Sequence, residues 1–437
     1  MQLIDNLELA RKLLSRTHPQ LPEASSRLRQ RIKETFGQDL SPEEVVDQII
    51  WEVRERGEAT LLDYTELLDG VRLERLEVSP EELEKAYGEV HPDLLQALEM
   101  AAERIRSFHL AQKGQLFEGE LGKGVSLLTR PLERVGIYVP GGAACYPSTV
   151  LMTAIPAKVA GVKEVILTTP PSKEGKVPLP TLAAARLAGV NRVFKLGGAQ
   201  AIAALAFGTQ SVPKVDKICG PGNIFVTLAK KKVYGWVDID GLQGPTETII
   251  LADDSANPSL CAADLLAQAE HDELATAILI TTSSELAQKV KDEVNRQLED
   301  LGSRAARNSL EERGKLIVIH NLDEALELVN LYAPEHLSLI LRQASSCLGK
   351  IQHAGVIFIG EESAEVLGDY IAGPSHVLPT GGTARFSSPL NVTDFLKFTA
   401  LIELDEDDLR KLGPAARVIA RAEGLLAHAQ AIQKRLK

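Results

Sequence analysis

Residues 135–142 read Val-Gly-Ile-Tyr-Val-Pro-Gly-Gly, a short apolar run that stops at a proline and two glycines. Valine, isoleucine and tyrosine suit a strand, and Pro-Gly-Gly cannot extend one. A helical pattern follows. The same order returns with Val165–Thr169, a Pro-rich turn and the helix Leu182–Leu187. It returns with Val193–Leu196, Gly197-Gly198 and Gln200–Phe207, and again with Lys217–Cys219, Gly220-Pro221-Gly222 and Asn223–Lys232. Strand, tight turn and helix in alternation specify a parallel sheet wound with helices, with ligands at the carboxyl ends of its strands.

A second series begins at Thr248–Leu251 and runs through the helix Leu260–His271. Ala277–Thr281, Leu316–Ile319, Leu337–Leu341 and Val356–Ile359 supply further strands with helices between them. The fold class expected is therefore α/β, with two Rossmann-like, doubly wound domains and helical extensions at both ends. Residues 1–130 read mostly helical, with amphipathic segments near 24–37, 41–56 and 93–113. Ser41-Pro42-Glu43-Glu44 and Ser79-Pro80-Glu81-Glu82 each combine a capping serine, a first-turn proline and acids at the positive dipole end. After about 390 the chain reads as helical again, ending in the amphipathic Ala415–Leu436. The boundaries expected are a helical extension over 1–30, one α/β domain over 135–246, a second over 31–134 plus 247–389, and a helical segment over 390–437.

The chain has 437 residues, 44% apolar and 4% aromatic, enough for two or three domains with real cores. A formal charge of -12 argues against nucleic acid or an anionic membrane as partner. The one basic cluster, Lys230-Lys231-Lys232, reads as a solvated helix end rather than a phosphate track. Cys145, Cys219, Cys261 and Cys347 are widely spaced, as reduced thiols of a cytoplasmic protein would be. Met1–Lys12 carries Asp5, Glu8 and Arg11 and does not read as a signal peptide. The most apolar stretch, Val150–Leu167, is interrupted by Pro156, Lys158, Lys163 and Glu164, so no membrane span is expected.

Four polar clusters stand out, each with an ordinary alternative. Glu335 and His336 follow Pro334 and precede the run Leu337–Leu341, which puts an acid and an imidazole on a loop entering a strand. They suit two proton acceptors acting on different substrate atoms, or a plain polar loop. Gln268 and His271 stand three apart at a helix end, spaced as two ligands of one divalent metal or as carbonyl caps. Asp369 and His376 lie on a Gly- and Pro-rich stretch after Val356–Ile359, where Asp369 is either a pocket residue or a turn former. Glu423 and His428 sit five apart on the final helix, about 140° apart in projection, flanking a ligand or facing solvent. No H-E-x-x-H, paired C-x-x-C, phosphate loop, G-x-S-x-G elbow or strict G-x-G-x-x-G occurs.

Taken in order, these segments resemble the histidinol dehydrogenase family over nearly the whole chain. The resemblance rests on Gly136–Gly142, Tyr146–Met152, Gly197–Ala203 and Gly220–Asn223. It continues through Gln268–His271, Ala333–Leu337 and Gly373–Thr380. It implies an aldehyde-dehydrogenase-like pair of domains, with NAD on residues 135–246 and metal and substrate on the other. It implies zinc held by Gln268, His271, Asp369 and, from a partner subunit, His428, and hence a homodimer with a shared site. Glu335 and His336 would be the proton acceptors and Tyr138, Gln200 and Asn223 the NAD contacts. Thr246, His376 and Glu423 would join His336 and the metal ligands around L-histidinol, which is oxidised through an aldehyde to histidine. The family usually shows Pro-Ala-Gly-Pro-Ser-Glu where residues 242–247 read Leu-Gln-Gly-Pro-Thr-Glu. That departure admits another amino or sulfonated alcohol as substrate, and the missing nucleotide fingerprint admits a zinc hydrolase.

Overall fold

The computed structural model describes residues 1–16, 26–116, 119–141 and 145–436. Gly142 of the first turn, with part of the expected 1–30 extension and of the helical segment near 24–37, lies outside the described residues. β1 (Gln2–Ile4) opens the chain, and β2 (Gly119–Gly122) and β3 (Val125–Pro131) follow a helical stretch. β4 (Arg134–Tyr138), β5 (Glu164–Thr169), β6 (Arg192–Lys195), β7 (Lys217–Cys219) and β8 (Asp238–Ile239) form the next run. β9 (Glu247–Ala252), β10 (Thr276–Thr281), β11 (Lys315–Val318), β12 (His336–Ile340) and β13 (Val356–Ile359) form another, and β14 (Leu396–Ile402) comes last.

These strands make two parallel sheets, in the orders β6-β5-β4-β7-β8 and β1-β11-β10-β9-β12-β13. Both are covered on two faces, which is why β5 and β9 read as unbroken apolar runs rather than alternating ones. On one face of the first sheet, Leu98 and Ile105 of the helix Pro92–Gly114 pack with Leu151 and Leu182. On the other, Val46, Ile49 and Val53 of Pro42–Arg56 meet Ile202, Leu205 and Ile218. The second sheet is held between Leu7–Leu14 with Leu322–Tyr332 and Pro258–Ala269 with Ser284–Leu301. Both serine-proline starts form full capping boxes, with Ser41 and Ser79 each paired reciprocally with a glutamate three residues on.

Several expectations change. The first residues are not a helical extension: β1 joins the second sheet beside β11, with Ile4 opposite Ile317 and buried. The helices between 42 and 114, expected with the second sheet, bury their apolar faces on the first. The regions read as mostly helical hold a three-stranded antiparallel sheet, β14-β3-β2. Its β14 register against β3 runs from Leu396 opposite Pro131 to Ile402 opposite Val125, which no local signal near residue 400 announces. The final helix is two, Glu406–Ala422 and Leu426–Arg435, parted at Gly424 where φ is +76°. Lys230 is not solvated but buried against Asp240, while Lys232 pairs with Asp47 on the surface. The cysteines are free thiols, three of them buried.

Gly220, in the turn after β7, has φ +114°, and a Cβ there would lie 2.0 Å from the Tyr138 carbonyl oxygen. Gly220→Ala is expected to destabilise the fold by at least ~2 kcal/mol, read from the urea midpoint.

Candidate active site

Two cavities carry the polar residues singled out from sequence. The first lies at the carboxyl ends of the first sheet, at the switch between β4 and β7, where a doubly wound sheet takes its ligand. Its volume is about 670 Å³, and Tyr138, Gln200 and Asn223 all line it. The Tyr138 oxygen accepts the Gly198 N–H at 3.3 Å, and Asn223 caps the helix Ile224–Val233 by accepting from Phe225 and Val226. The buried Gln200 Oε1 has no partner among the described residues. Burial pushes the Tyr138 phenol up to about 12, so it is neutral and able to donate at neutral pH.

The second centre lies at the amino ends of β9 and β12, in keeping with the expected place of Glu335 and His336 where the chain enters a strand. Parallel pairing sets His336 opposite Thr248, which brings the residues just before each strand side by side. The helix Leu322–Tyr332 ends on Ala333 in the left-handed region (φ 53°), and Pro334 then feeds the chain into β12. Glu335 and His336 are both buried. Glu335 Oε2 accepts the Glu247 N–H at 3.0 Å and lies 2.8 Å from the Thr246 hydroxyl, which is also 3.0 Å from Gln268 Oε1. His336 Nδ1 is 3.3 Å from the Glu247 carbonyl oxygen, and Nε2 is 3.6 Å from Asp369 Oδ1. The ring of His376 turns Nδ1 to the Asp369 carbonyl at 2.7 Å. His336, Asp369 and His376 line a cavity of about 390 Å³.

Burial dominates the Glu335 carboxyl and raises it to about 7, although the neighbouring ring and the Thr246 hydroxyl oppose this. For His336, burial disfavours the charged ring, but Glu335, Asp369 and Glu365 outweigh it and raise the ring to about 10. Burial alone would raise Asp369, yet His336, His376 and His271 hold it below the ordinary carboxylate range. Burial keeps His376 low.

Asp369 sits not on irregular chain but in the last turn of a short helix, Glu365–Tyr370. Gln268 closes the helix Pro258–Ala269, and His271 lies just past it, exposed but within electrostatic reach of Asp369. Glu423 and His428 do not reach this centre. Glu423 ends one C-terminal helix and His428 is on the next, both exposed. Sequence reasoning missed Glu365, whose Oε1 takes hydrogen bonds from Thr248 at 2.5 Å and Ser338 at 2.8 Å. Its other oxygen is buried without a partner among the described residues, and burial raises the carboxyl. Nothing in Ser363-Ala364-Glu365 marks that residue as interior, because a glutamate among small residues reads as surface.

The sequence model of one family, histidinol dehydrogenase, matches residues 33–436. The chain belongs to the histidinol dehydrogenase family. It is 56% identical over 400 residues to a histidinol dehydrogenase of Dehalococcoides mccartyi, covering 91% of this chain and 92% of that one. To the enzyme so named from Deinococcus radiodurans it is 53% identical over 445 residues, spanning both proteins fully. The crystal structure of histidinol dehydrogenase from Elizabethkingia anophelis superposes with a TM-score of 0.91 at 35% identity, covering 100% of this chain and 98% of that one. As in that family, this is an NAD-dependent oxidoreductase; the hydrolase alternative falls. Among the described residues no helix is long and apolar enough to cross a membrane.

The Thr246 hydroxyl helps keep the Glu335 carboxyl from rising further. Thr246→Val should raise it by about one pH unit, seen in infrared titration of the carboxyl stretch against Glu335→Gln as the blank.

Proposed function

We propose that this chain oxidises L-histidinol to L-histidine through the aldehyde, using two NAD and a zinc site shared between two copies of the chain in the cytoplasm. The observation that carries the reading is the pairing of two buried proton acceptors, Glu335 and His336, with His336 lining the cavity that holds Asp369 and His376. Tyr138, Gln200 and Asn223 are the NAD contacts in this reading, and Thr246, His376 and the partner's Glu423 line the substrate.

Among the described residues no three His, Cys, Asp or Glu side chains converge as a metal group. Gln268, His271 and Asp369 nevertheless suit zinc as an amide oxygen, an imidazole and a carboxylate, with His428 of a second copy as the fourth ligand. The buried Gln268 Nε2 has no partner among the described residues, while the single Thr246 proton faces two acceptors. Turning the amide over resolves both: Nε2 donates to Thr246, Thr246 donates to Glu335, and the amide oxygen is free for a cation. The need for a second copy agrees with the apolar residues exposed along the C-terminal region, among them Ile402, Val418 and Leu426.

When bound, zinc anchors the amine-bearing alcohol and NAD takes up the hydride in each of two oxidations. His336 receives the hydroxyl proton, for which its ring must be neutral. Asp369 is one of three carboxylates that keep the ring charged, and engaging its charge with a cation lowers the ring's affinity for a proton. Glu335, once ionised, takes a proton from the water that adds to the aldehyde. The buried setting keeps bulk water from the aldehyde in the interval.

The deciding experiment counts two NADH per histidinol consumed with zinc bound; silence with histidinol alone overturns the reading. Because a carboxylate raised to about 7 is protonated below that pH, aldehyde oxidation should rise as pH climbs through about 7. In Glu335→Gln that limb should vanish, with alcohol oxidation reduced less than aldehyde oxidation. His428→Ala should weaken zinc retention by at least about tenfold, read by elemental analysis after dialysis.

A further inference from the structure

Lys230 is 1% exposed, and its ammonium has three protons to place. It places all three. The acceptors are the Gly220 carbonyl at 3.0 Å, Asp240 Oδ1 at 2.5 Å and Gln243 Oε1 at 2.8 Å. Each comes from a different segment: the turn after β7, the end of β8, and the stretch that leads to β9. Asp240 Oδ2 also accepts the Gly220 N–H at 2.6 Å, so that glycine is gripped through both of its backbone groups. Gly220 in turn abuts the Tyr138 backbone. Three residues on, Asn223 lines the first cavity.

The other side of this hub runs toward the second centre. The Gln243 carbonyl accepts the Thr227 hydroxyl at 3.2 Å, and the Gly244 N–H donates to Thr380 Oγ1 at 2.6 Å. Two residues later Thr246 stands between Gln268 and Glu335. No more than six residues separate Asp240 from Thr246, and each end of the segment is pinned. Gln243 is also one of the positions where the chain departs from the family's usual Pro-Ala-Gly-Pro-Ser-Glu. An alanine there could not supply the third acceptor, which would leave a buried ammonium proton unpaired.

We infer that Gln243 is a positioning residue: by completing the shell of Lys230 it locks the turn at the nucleotide cavity to the segment carrying Thr246, so that ligand binding in one cavity strengthens binding in the other. A shift of the turn on nucleotide binding must move Lys230, Gln243 and the following four residues together, because none of the three bonds can lengthen without stranding a buried charge. By linkage the effect is reciprocal. The inference rests on the reading that the first cavity takes NAD and the second histidinol.

The test uses the zinc-loaded enzyme and histidine, which this reaction cannot oxidise further. NAD affinity is measured by calorimetry with and without saturating histidine. The unaltered enzyme should bind NAD more tightly with histidine present, by about fivefold or more. Gln243→Leu, which keeps the bulk and removes the acceptor, should bring that ratio close to one at unchanged zinc content. Gln243→Glu, which restores an oxygen to Lys230, should recover it; a purely structural role would lower the melting temperature of Gln243→Leu and leave the ratio intact. A ratio near one in the unaltered enzyme, or one unchanged in Gln243→Leu, overturns the inference. If neither ligand binds the unaltered enzyme, the functional reading fails first and the inference with it.

Discussion

The parallel pairing of β9 with β12 is the constraint from which the active centre follows. It sets His336 opposite Thr248 and brings Thr246 and Glu247 against Glu335, although nearly ninety residues of chain separate them. Alternate residues of a strand share a face, so Thr248, His336 and Ser338 lie on one side, where Glu365 accepts the hydroxyls of Thr248 and Ser338. A slip of one residue would turn His336 away from Asp369 and remove both bonds to Glu365. The apolar residues of β9 and β12 that forbid such a slip are therefore as necessary to the chemistry as the acceptors themselves. Ile249, Leu251, Leu337 and Leu339 are all fully buried between the helices.

Burial then decides what the acceptors can do. A carboxyl near pH 4 in water is a weak base, whereas Glu335 held near 7 is matched to neutral conditions. The cost of interring it is offset locally by a backbone N–H and the Thr246 hydroxyl. His336 experiences the opposite balance, because three nearby carboxylates favour its charged form more than burial disfavours it. An acid and an imidazole adjacent in the chain are thus driven apart in proton affinity by what surrounds each. The two sheets also open their candidate sites at opposite ends of their strands: the first cavity at the carboxyl ends, the second centre at the amino ends. That difference follows from the heads of β9 and β12, where Thr246 and Glu335 just before the strands meet Glu247 and His336 that open them.

Much of this was legible in the chain. The alternation of apolar runs with glycine turns located β4 to β7 to within a residue or two, since a two-face-covered parallel strand has a composition that nothing else produces. The serine-proline-acid starts of two helices were equally plain. β14 was not, because its residues Leu396–Ile402 form a strand only by lying along β3, some 270 positions earlier. Nor was the interior place of Lys230, since a run of three lysines carries no sign of which one faces Asp240. Glu365 escaped notice for the same reason: its environment is made by Thr248 and Ser338 from other strands.

The sequence by itself determined the fold class and the family and singled out the candidate side chains, because local patterning and motif order are written along the chain. Tertiary structure decided which of those side chains meet. It joined Thr246, Gln268, Glu335, His336 and Asp369 around one centre and left Glu423 and His428 on the outside of the same chain. It also decided the protonation behaviour of Glu335 and His336, since desolvation and nearby charge depend on neighbours brought from distant segments.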